Sequence, residues 1–178
     1  MAKIAVCIAS DYDDLDLDVP RWRLREAGHD VVIVGLQAGK RLKGKRGRSS
    51  ICVQKTAREV NASEFDAVLI PGGHSPDQLR LDTAMVAFVQ DAVKHQKLVA
   101  AACHGPQLLI EADVVKNRSM TSWPSVKRDL INAGARWKDQ AVVEDGCFIT
   151  SRQPEDLEAF STAILRWIEV ATRGSLAS

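Results

Sequence analysis

The sequence lacks a long apolar segment and has almost no net charge. No apolar run reaches the length of a transmembrane helix. The short run in MAKIAVCIAS is followed at once by the acidic DYDDLDLD, which is unlike the cleavage region of a signal peptide. The 24 basic and 23 acidic side chains give a formal net charge of +1, so no overall charge draws the chain to a membrane surface or to nucleic acid. We therefore expect a cytoplasmic protein without a membrane or nucleic-acid partner.

Cysteine is also sparse, and no two cysteines form a C-x-x-C pair. Structural zinc sites usually bring their ligands in close pairs, so we expect no metal site and, in a reducing compartment, free thiols. Cys7, Cys52 and Cys147 lie in or beside short apolar segments and are interpreted as packing residues. Cys103 differs because it stands between two apolar segments, in VAAACHGPQL.

Cations are concentrated in one place, the run KRLKGKRGRSS that begins at Lys40. Such runs sometimes bind nucleic acid. Aromatic residues are scarce in this run and the chain as a whole is not basic, which favours a solvated hairpin instead. We expect at most a weak, salt-dependent attraction to anionic partners.

Short apolar segments alternate with segments of helical spacing along the whole chain. The pattern predicts strands at 3–9, 29–36, 65–70 and 98–103, a hairpin over 142–151 around Asp145-Gly146, and helices at 19–27, 83–96, 106–115, 125–133 and 154–173. Strands that alternate with helices indicate an α/β fold, a mostly parallel sheet with helices on both faces. With 178 residues we expect a single domain over residues 1–178.

Polar or reactive residues follow three of the predicted strands. They are the acidic run after Ala9, PGGHSPD after Ile70, and Cys103 itself. Ligands of open parallel sheets bind beyond the carboxyl ends of the strands, so the three are expected to form one site.

The segment around Cys103 resembles a strand-to-helix elbow that presents a nucleophile. Gly105 permits a tight turn, and Pro106 suits the first turn of a helix. A sulfur at a helix N-terminus faces unpaired N–H groups, so we expect the pKa of this thiol to lie below its usual value of about 8.5. The amides of Gly73 and His104 are candidates for holding an oxyanion. The alternative interpretation of Cys103 is a small apolar side chain packed in the core.

No histidine follows position 104. Hydrolases of the elbow type carry their histidine downstream of the nucleophile, as do glutamine amidotransferases of the triad type. Where such an amidotransferase has His-Pro-Glu, this chain has Gln153-Pro154-Glu155. Glutamine hydrolysis by that triad is therefore not expected.

Almost the whole chain resembles the PfpI family of intracellular proteases and stress proteins. This family shares a superfamily with the parkinsonism-associated deglycase. The resemblance implies a class I glutamine amidotransferase-like, flavodoxin-like three-layer sandwich and no cofactor. It is carried by residues 11–20, LKGKRG, FDAVLIPGGHSPDQLR, ACHGPQLLI, TSW and ITSRQPEDL.

The resemblance assigns the catalytic residues. Cys103 matches the family's nucleophile and His104 the neighbouring histidine. The family's acidic residue in the first loop, four positions before a proline, corresponds to Asp16 when counted back from Pro20. Most members have glutamate there. A carboxyl group beside a thiolate should have a raised pKa, so that it can donate a proton to sulfur. The alternative for Asp16 is a solvated loop carboxylate or a helix cap, which is how we interpret Asp13, Asp14 and Asp18.

Three further residues complete the candidate site. Asp77 corresponds to a carboxylate that, in PfpI-type proteases, orients the histidine across a subunit interface; a helix cap is its alternative role. His74 is expected to line the pocket, with a structural histidine as the alternative. Trp123 either walls the site or packs half-buried.

Two classes of function follow. The first is a cysteine-dependent stress enzyme that acts on methylglyoxal, glyoxal or their glycated protein adducts, as a glyoxalase, deglycase or peptidase. The second is a redox-sensing or chaperone-like stress protein with an oxidisable Cys103. Peptidase activity would require self-association, as a homodimer or a hexamer, to bring Asp77 to His104.

Overall fold

The structure of this chain is a computed structural model that describes the backbone of residues 1–175 and the side chains of residues 1–172. Its strands are β1 (Lys3–Cys7), β2 (Asp30–Gly35), β3 (Arg41–Lys43), β4 (Ser50–Cys52), β5 (Lys55–Thr56), β6 (Ala67–Ile70), β7 (Leu98–Ala102), β8 (Ser119–Met120), β9 (Arg136–Trp137), β10 (Val142–Asp145) and β11 (Phe148–Ser151). Its α-helices are α1 (Asp14–Glu26), α2 (Ser75–Leu79), α3 (Thr83–Lys94), α4 (Pro106–Glu111), α5 (Lys127–Asn132) and α6 (Leu157–Ser175).

The main sheet has seven strands in the order β10-β11-β7-β6-β1-β2-β5. All neighbouring strands are parallel except β10 and β11, which form the predicted hairpin around Gly146. The central strands β6 and β7 are buried along their whole length, because helices cover both faces of the sheet. The expected mostly parallel α/β fold is confirmed.

Alternation along β1 divides the core into two layers. Ile4 and Val6 face α1 and α6, where they pack in one cluster with Leu24 and Phe160. Ala5 and Cys7 point to the other side, into a cluster built with α3, α4 and α5. Successive side chains of a strand point to opposite faces, so one short apolar segment serves both layers.

Helix α1 begins five residues earlier than the sequence predicts, at Asp14 rather than Val19. Asp13 is the N-cap, and its Oδ1 accepts the N–H groups of Leu15 and Asp16 at 3.0 and 3.4 Å. The acidic run is therefore a helix start, where carboxylates are favourable, and not a loop. Pro20 lies inside this helix. The consequence is that Asp16 is placed in the first turn, directly under the carboxyl ends of the strands.

The basic run forms the predicted hairpin, β3 paired with β4. Its turn is folded around Asp14, which is neither the solvated loop carboxylate nor the helix cap that the sequence suggested. Oδ2 of this buried carboxylate accepts the Arg46 N–H at 2.9 Å, and Oδ1 accepts the N–H groups of Arg48 and Ser49 at 3.0 and 2.8 Å. The turn is thereby fixed against α1.

The thiols are as expected with one exception. All four cysteines are free, and Cys7 and Cys147 are buried. Cys52 is exposed, because the side chains of β4 alternate and Ile51 takes the inward position. Within residues 1–175, no helix is both long and apolar enough to cross a membrane.

Candidate active site

Cys103 occupies a strained turn between β7 and α4. Its φ is +56°, a left-handed conformation that a residue with a Cβ rarely adopts. Two backbone hydrogen bonds hold it: its N–H donates to Ser151 O at 3.0 Å, and its carbonyl accepts from Trp123 N at 2.9 Å. Two residues further on, position 105 has to be glycine, since a Cβ there would lie 2.5 Å from Ile70 O. The strand-to-helix turn predicted from the sequence is present.

The Asp16 and Cys103 side chains both pack against Gly72, which has no side chain of its own. A Cβ on Gly72 would lie 2.6 Å from Asp16 Oδ2 and 2.7 Å from Cys103 Cβ, so only glycine lets the two side chains approach. The Gly72 N–H donates to Asp16 Oδ2 at 3.1 Å. Asp16 Oδ1 is buried and has no hydrogen-bond partner among the described residues. An unpaired buried carboxylate oxygen is costly, which favours the protonated acid.

Burial, together with the negative charge of Asp13, raises the pKa of Asp16 from 3.8 to about 7, against the opposing effects of the Gly72 N–H, Lys45 and Arg46. The raised pKa agrees in direction with the sequence-based expectation. The main cause is different, because desolvation and not a neighbouring thiolate dominates. At neutral pH both protonation states of Asp16 are populated.

The expectation of a lowered thiol pKa is wrong. Burial, together with the charges of Asp16 and Asp13, raises the pKa of Cys103 to about 12. The residue is only 5% exposed. Lys45 and the His104 N–H oppose the shift but do not overcome it, since loss of water outweighs one helix start. The resting side chain is a thiol.

The imidazole ring of His104 lies beside the Cys103 sulfur. Its Nδ1 lies 3.3 Å from Cys103 Sγ, and its Nε2 lies 3.4 Å from Ser125 Oγ. The ring stacks on Trp123 with centroids 6.3 Å apart. Burial lowers the pKa of His104, and Lys45 lowers it further, so the neutral ring is able to accept a proton. The sequence analysis missed Ser125, whose one signal is its position just after TSW.

A cavity of about 400 Å³ opens beside Cys103, within the usual size range for small-molecule sites. The basic turn and the segment after β11 supply walls that the sequence analysis did not assign to the site. The lining residues are Asp13, Lys45, Arg46, Cys103, His104, Trp123, Gln153, Pro154 and Glu155. The sequence shows that Gln153-Pro154-Glu155 replaces His-Pro-Glu, but it does not show that these residues line the cavity.

The DJ-1/PfpI family profile matches residues 2–167. The chain belongs to the DJ-1/PfpI family. It is 48% identical over 165 residues to protein/nucleic acid deglycase 2 of Escherichia coli K12, covering 92% of this chain and 96% of that one. It is 41% identical over 168 residues to general stress protein 18 of Bacillus subtilis 168, covering 94% and 98%.

The fold is that of solved DJ-1/PfpI domains, a flavodoxin-like sandwich. The crystal structure of a two-domain protein from Anabaena variabilis, with DJ-1/ThiJ/PfpI-like and ferritin-like domains, superposes with a TM-score of 0.94 at 45% identity. The match covers 95% of this chain and 48% of that one.

Four of the predicted site residues lie outside the cavity lining, namely Asp16, Gly73, His74 and Asp77, so the expectation that His74 lines the pocket is wrong. His74 precedes α2 and projects into solvent, because the buried face of that helix is formed by Ser75, Pro76 and Leu79. Its Nε2 lies 3.9 Å from Asp77 Oδ2, and both side chains are more than half exposed. Within one chain, no contact joins Asp77 to His104 among the described residues.

The backbone N–H groups of Gly73 and His104 are the two oxyanion candidates from the sequence. Gly73 has a φ of +76° and pairs with Tyr12 in an isolated bridge that leaves its own N–H without a partner among residues 1–175. The His104 N–H is near enough to the Cys103 sulfur to lower the pKa of the thiol slightly, against the larger effect of burial. No group of three or more His, Cys, Asp or Glu side chains in the described part of the chain is arranged to hold a metal ion.

Proposed function

We propose that this DJ-1/PfpI protein is a cofactor-independent enzyme in which Cys103 attacks reactive carbonyls such as methylglyoxal, or the glycated adducts they form. The observation that carries the proposal is that Cys103, which lines a small-molecule cavity, and the buried Asp16 carboxyl group both pack against Gly72. Since the pKa of Asp16 is about 7, this carboxyl group is able to take up and return a proton near neutral pH. The name of the deglycase relative supports the same reaction class.

The first step joins sulfur to the aldehyde. The Asp16 carboxylate accepts the thiol proton while Sγ bonds to the aldehyde carbon, and the C=O π bond becomes an alkoxide. The Gly73 and His104 N–H groups stabilise that oxygen, and Asp16 returns its proton to give a hemithioacetal. Transfer of the proton during attack is needed because burial raises the pKa of the Cys103 thiol to about 12.

The remaining steps rearrange and release the product. A base, either Asp16 or His104 Nδ1, removes the proton from the former aldehyde carbon and returns it to the adjacent carbon through an enediol, which gives a thioester. Water then breaks the C–S bond and restores the thiol. The net reaction is methylglyoxal plus water to lactate plus a proton, so no electrons are exchanged with a cofactor.

A redox sensor is less well supported. Oxidation to sulfenic acid needs an accessible thiolate, whereas Cys103 is nearly buried and its pKa is raised. Peptidase activity would require an assembly in which a second copy brings Asp77 to His104, and the exposure of Asp77 is compatible with that role.

The test is glutathione-free conversion of methylglyoxal to lactate. We expect Cys103→Ser and Asp16→Asn each to reduce kcat/KM by at least about 100-fold. Cys52→Ser is the matched control: it removes an exposed thiol outside the cavity and should leave the rate unchanged. Inactive wild-type protein whose Cys103 is instead oxidised by low peroxide would contradict the proposal.

Deglycase activity needs a separate arm of the same test. Early glycation adducts are reversible, so an enzyme that consumes free aldehyde also makes adducts disappear. Loss of a preformed adduct should therefore be followed in the presence of a chemical trap for free aldehyde. Acceleration by the wild type over Cys103→Ser under these conditions would indicate direct attack on the adduct, and no acceleration would indicate action on the free aldehyde.

A further inference from the structure

We propose that Arg46 binds a carboxylate on the substrate, so that the preferred substrates are α-oxoaldehydes that carry a carboxylate. The inference rests on the proposed function and narrows its substrate class. Three observations carry it: the position of Arg46 in the cavity wall, the fixed backbone that holds it there, and the pairing of the other charges around it.

The backbone of Arg46 is fixed before any ligand binds. Its N–H donates to Asp14 Oδ2 at 2.9 Å, and the same buried carboxylate accepts the following turn through Ser49 N at 2.8 Å. Gly44 opens the turn, and any Cβ at that position would collide with the Asp14 carboxylate. A binding group on a fixed backbone loses less entropy when it binds a ligand than one on a mobile loop.

The charges in the cavity leave Arg46 as the available cation. Asp13 Oδ2 is paired with Lys45 Nζ at 2.7 Å, whereas the Arg46 guanidinium lies 4.0 Å from the same oxygen, at the outer limit of an ion pair. No hydrogen bond of the guanidinium is present among the described residues, so its planar pair of donors remains open. Glu155 is the other carboxylate of the lining; like Arg46 it is exposed, so solvent screens both charges, and the paired donors of the guanidinium rather than its charge alone favour a carboxylate.

A guanidinium is suited to a carboxylate because two parallel N–H groups match its two oxygens. Arg46 also lies in the reacting region, since it lines the same cavity as Cys103. An α-oxoaldehyde with a carboxylate can therefore place its aldehyde at Cys103 and its anion at Arg46. The reaction balances as before: 4,5-dioxopentanoate plus water gives 2-hydroxyglutarate plus a proton.

The experiment compares kcat/KM for 4,5-dioxopentanoate and for methylglyoxal, at the same ionic strength. We expect the wild type to prefer the carboxylate-bearing substrate. Arg46→Gln should lower the ratio of the two values by about tenfold to a hundredfold, the range for hydrogen bonds to charged groups. Arg46→Lys, which keeps the charge but not the paired donors, should give an intermediate ratio.

Arg48→Gln is the matched control. Arg48 lies in the same turn and gives its backbone N–H to the same carboxylate, but its exposed side chain is not part of the cavity lining. The ratio should be unchanged in this variant. A wild type without preference, or an equal fall of the ratio in Arg46→Gln and Arg48→Gln, would overturn the inference.

A binding measurement keeps the inference separate from the proposed function. Calorimetric titration of Cys103→Ser with 2-hydroxyglutarate and with lactate needs no turnover. Tighter binding of 2-hydroxyglutarate that is lost in the double variant with Arg46→Gln would support the carboxylate site even if the wild type converted neither aldehyde, whereas equal binding would refute it. Failure of turnover alone would refute only the proposed function.

Discussion

Replacing Asp16 by Asn should make the protein more stable at alkaline pH relative to the wild type. The pKa of Asp16 is about 7 in the fold and 3.8 ordinarily. Between these values the folded chain keeps a proton that the unfolded chain has released. The free energy of unfolding of the wild type therefore falls as pH rises through this window, by 1.36 kcal/mol per pH unit, and levels off above pH 7. Between pH 5 and pH 8 the slope acts over about two pH units, from 5 to 7, so the free energy of unfolding falls by about 3 kcal/mol.

The Asn variant has no carboxyl to ionise, so it should not show this loss. Its amide oxygen can still accept the Gly72 N–H, which limits other changes. Urea denaturation of both proteins at pH 5 and pH 8 measures the effect, as the variant minus wild-type difference, which cancels groups that titrate in both. A loss of about 3 kcal/mol is a large part of a typical domain's stability.

Asp129→Asn is a suitable control, since it removes an exposed carboxylate in the first turn of α5. Its difference from the wild type should change by less than about 0.5 kcal/mol between the two pH values. If the Asp16→Asn difference were equally flat, Asp16 would titrate at its ordinary pKa, and the account of a buried proton carrier would be wrong.

Three further predictions concern the same site. The kcat/KM for methylglyoxal should rise with pH through about 7 as Asp16 ionises, and the residual rate of Asp16→Asn should not show this rise. A wild-type rate that falls over this pH range would contradict the role of Asp16 as the base. Gly72→Ala should cost about 1–3 kcal/mol of stability and most of the activity, because the added methyl group meets both Asp16 and Cys103, as thermal unfolding and lactate formation would test. In native protein at pH 7.5, iodoacetamide should alkylate exposed Cys52 faster than Cys103, and the Cys103 rate should still be rising at pH 10; peptide mass spectrometry would measure both, and an early plateau for Cys103 would indicate a low pKa instead.

The sequence by itself determined the α/β architecture and the position of Cys103. Continuous apolar segments such as β7 are readable because a strand buried on both faces has no polar residues to place. Gly105 and Pro106 after Cys103 indicated the sharp turn, which the positive φ of Cys103 bears out. These features are local, so a short window of residues contains the information.

The state of the site was decided by the tertiary structure. Asp13, Asp14 and Asp16 are adjacent in one acidic run, yet one caps a helix, one binds the basic turn and one lies beneath Cys103. The same holds for Arg46, which joins the cavity only because its turn folds onto α1. The direction of the pKa shift of Cys103 was predicted wrongly. The helix start that lowers this pKa can be read from neighbouring residues, whereas the burial that raises it depends on distant segments. Desolvation and contacts between distant segments depend on the packed chain as a whole, and no local pattern records them.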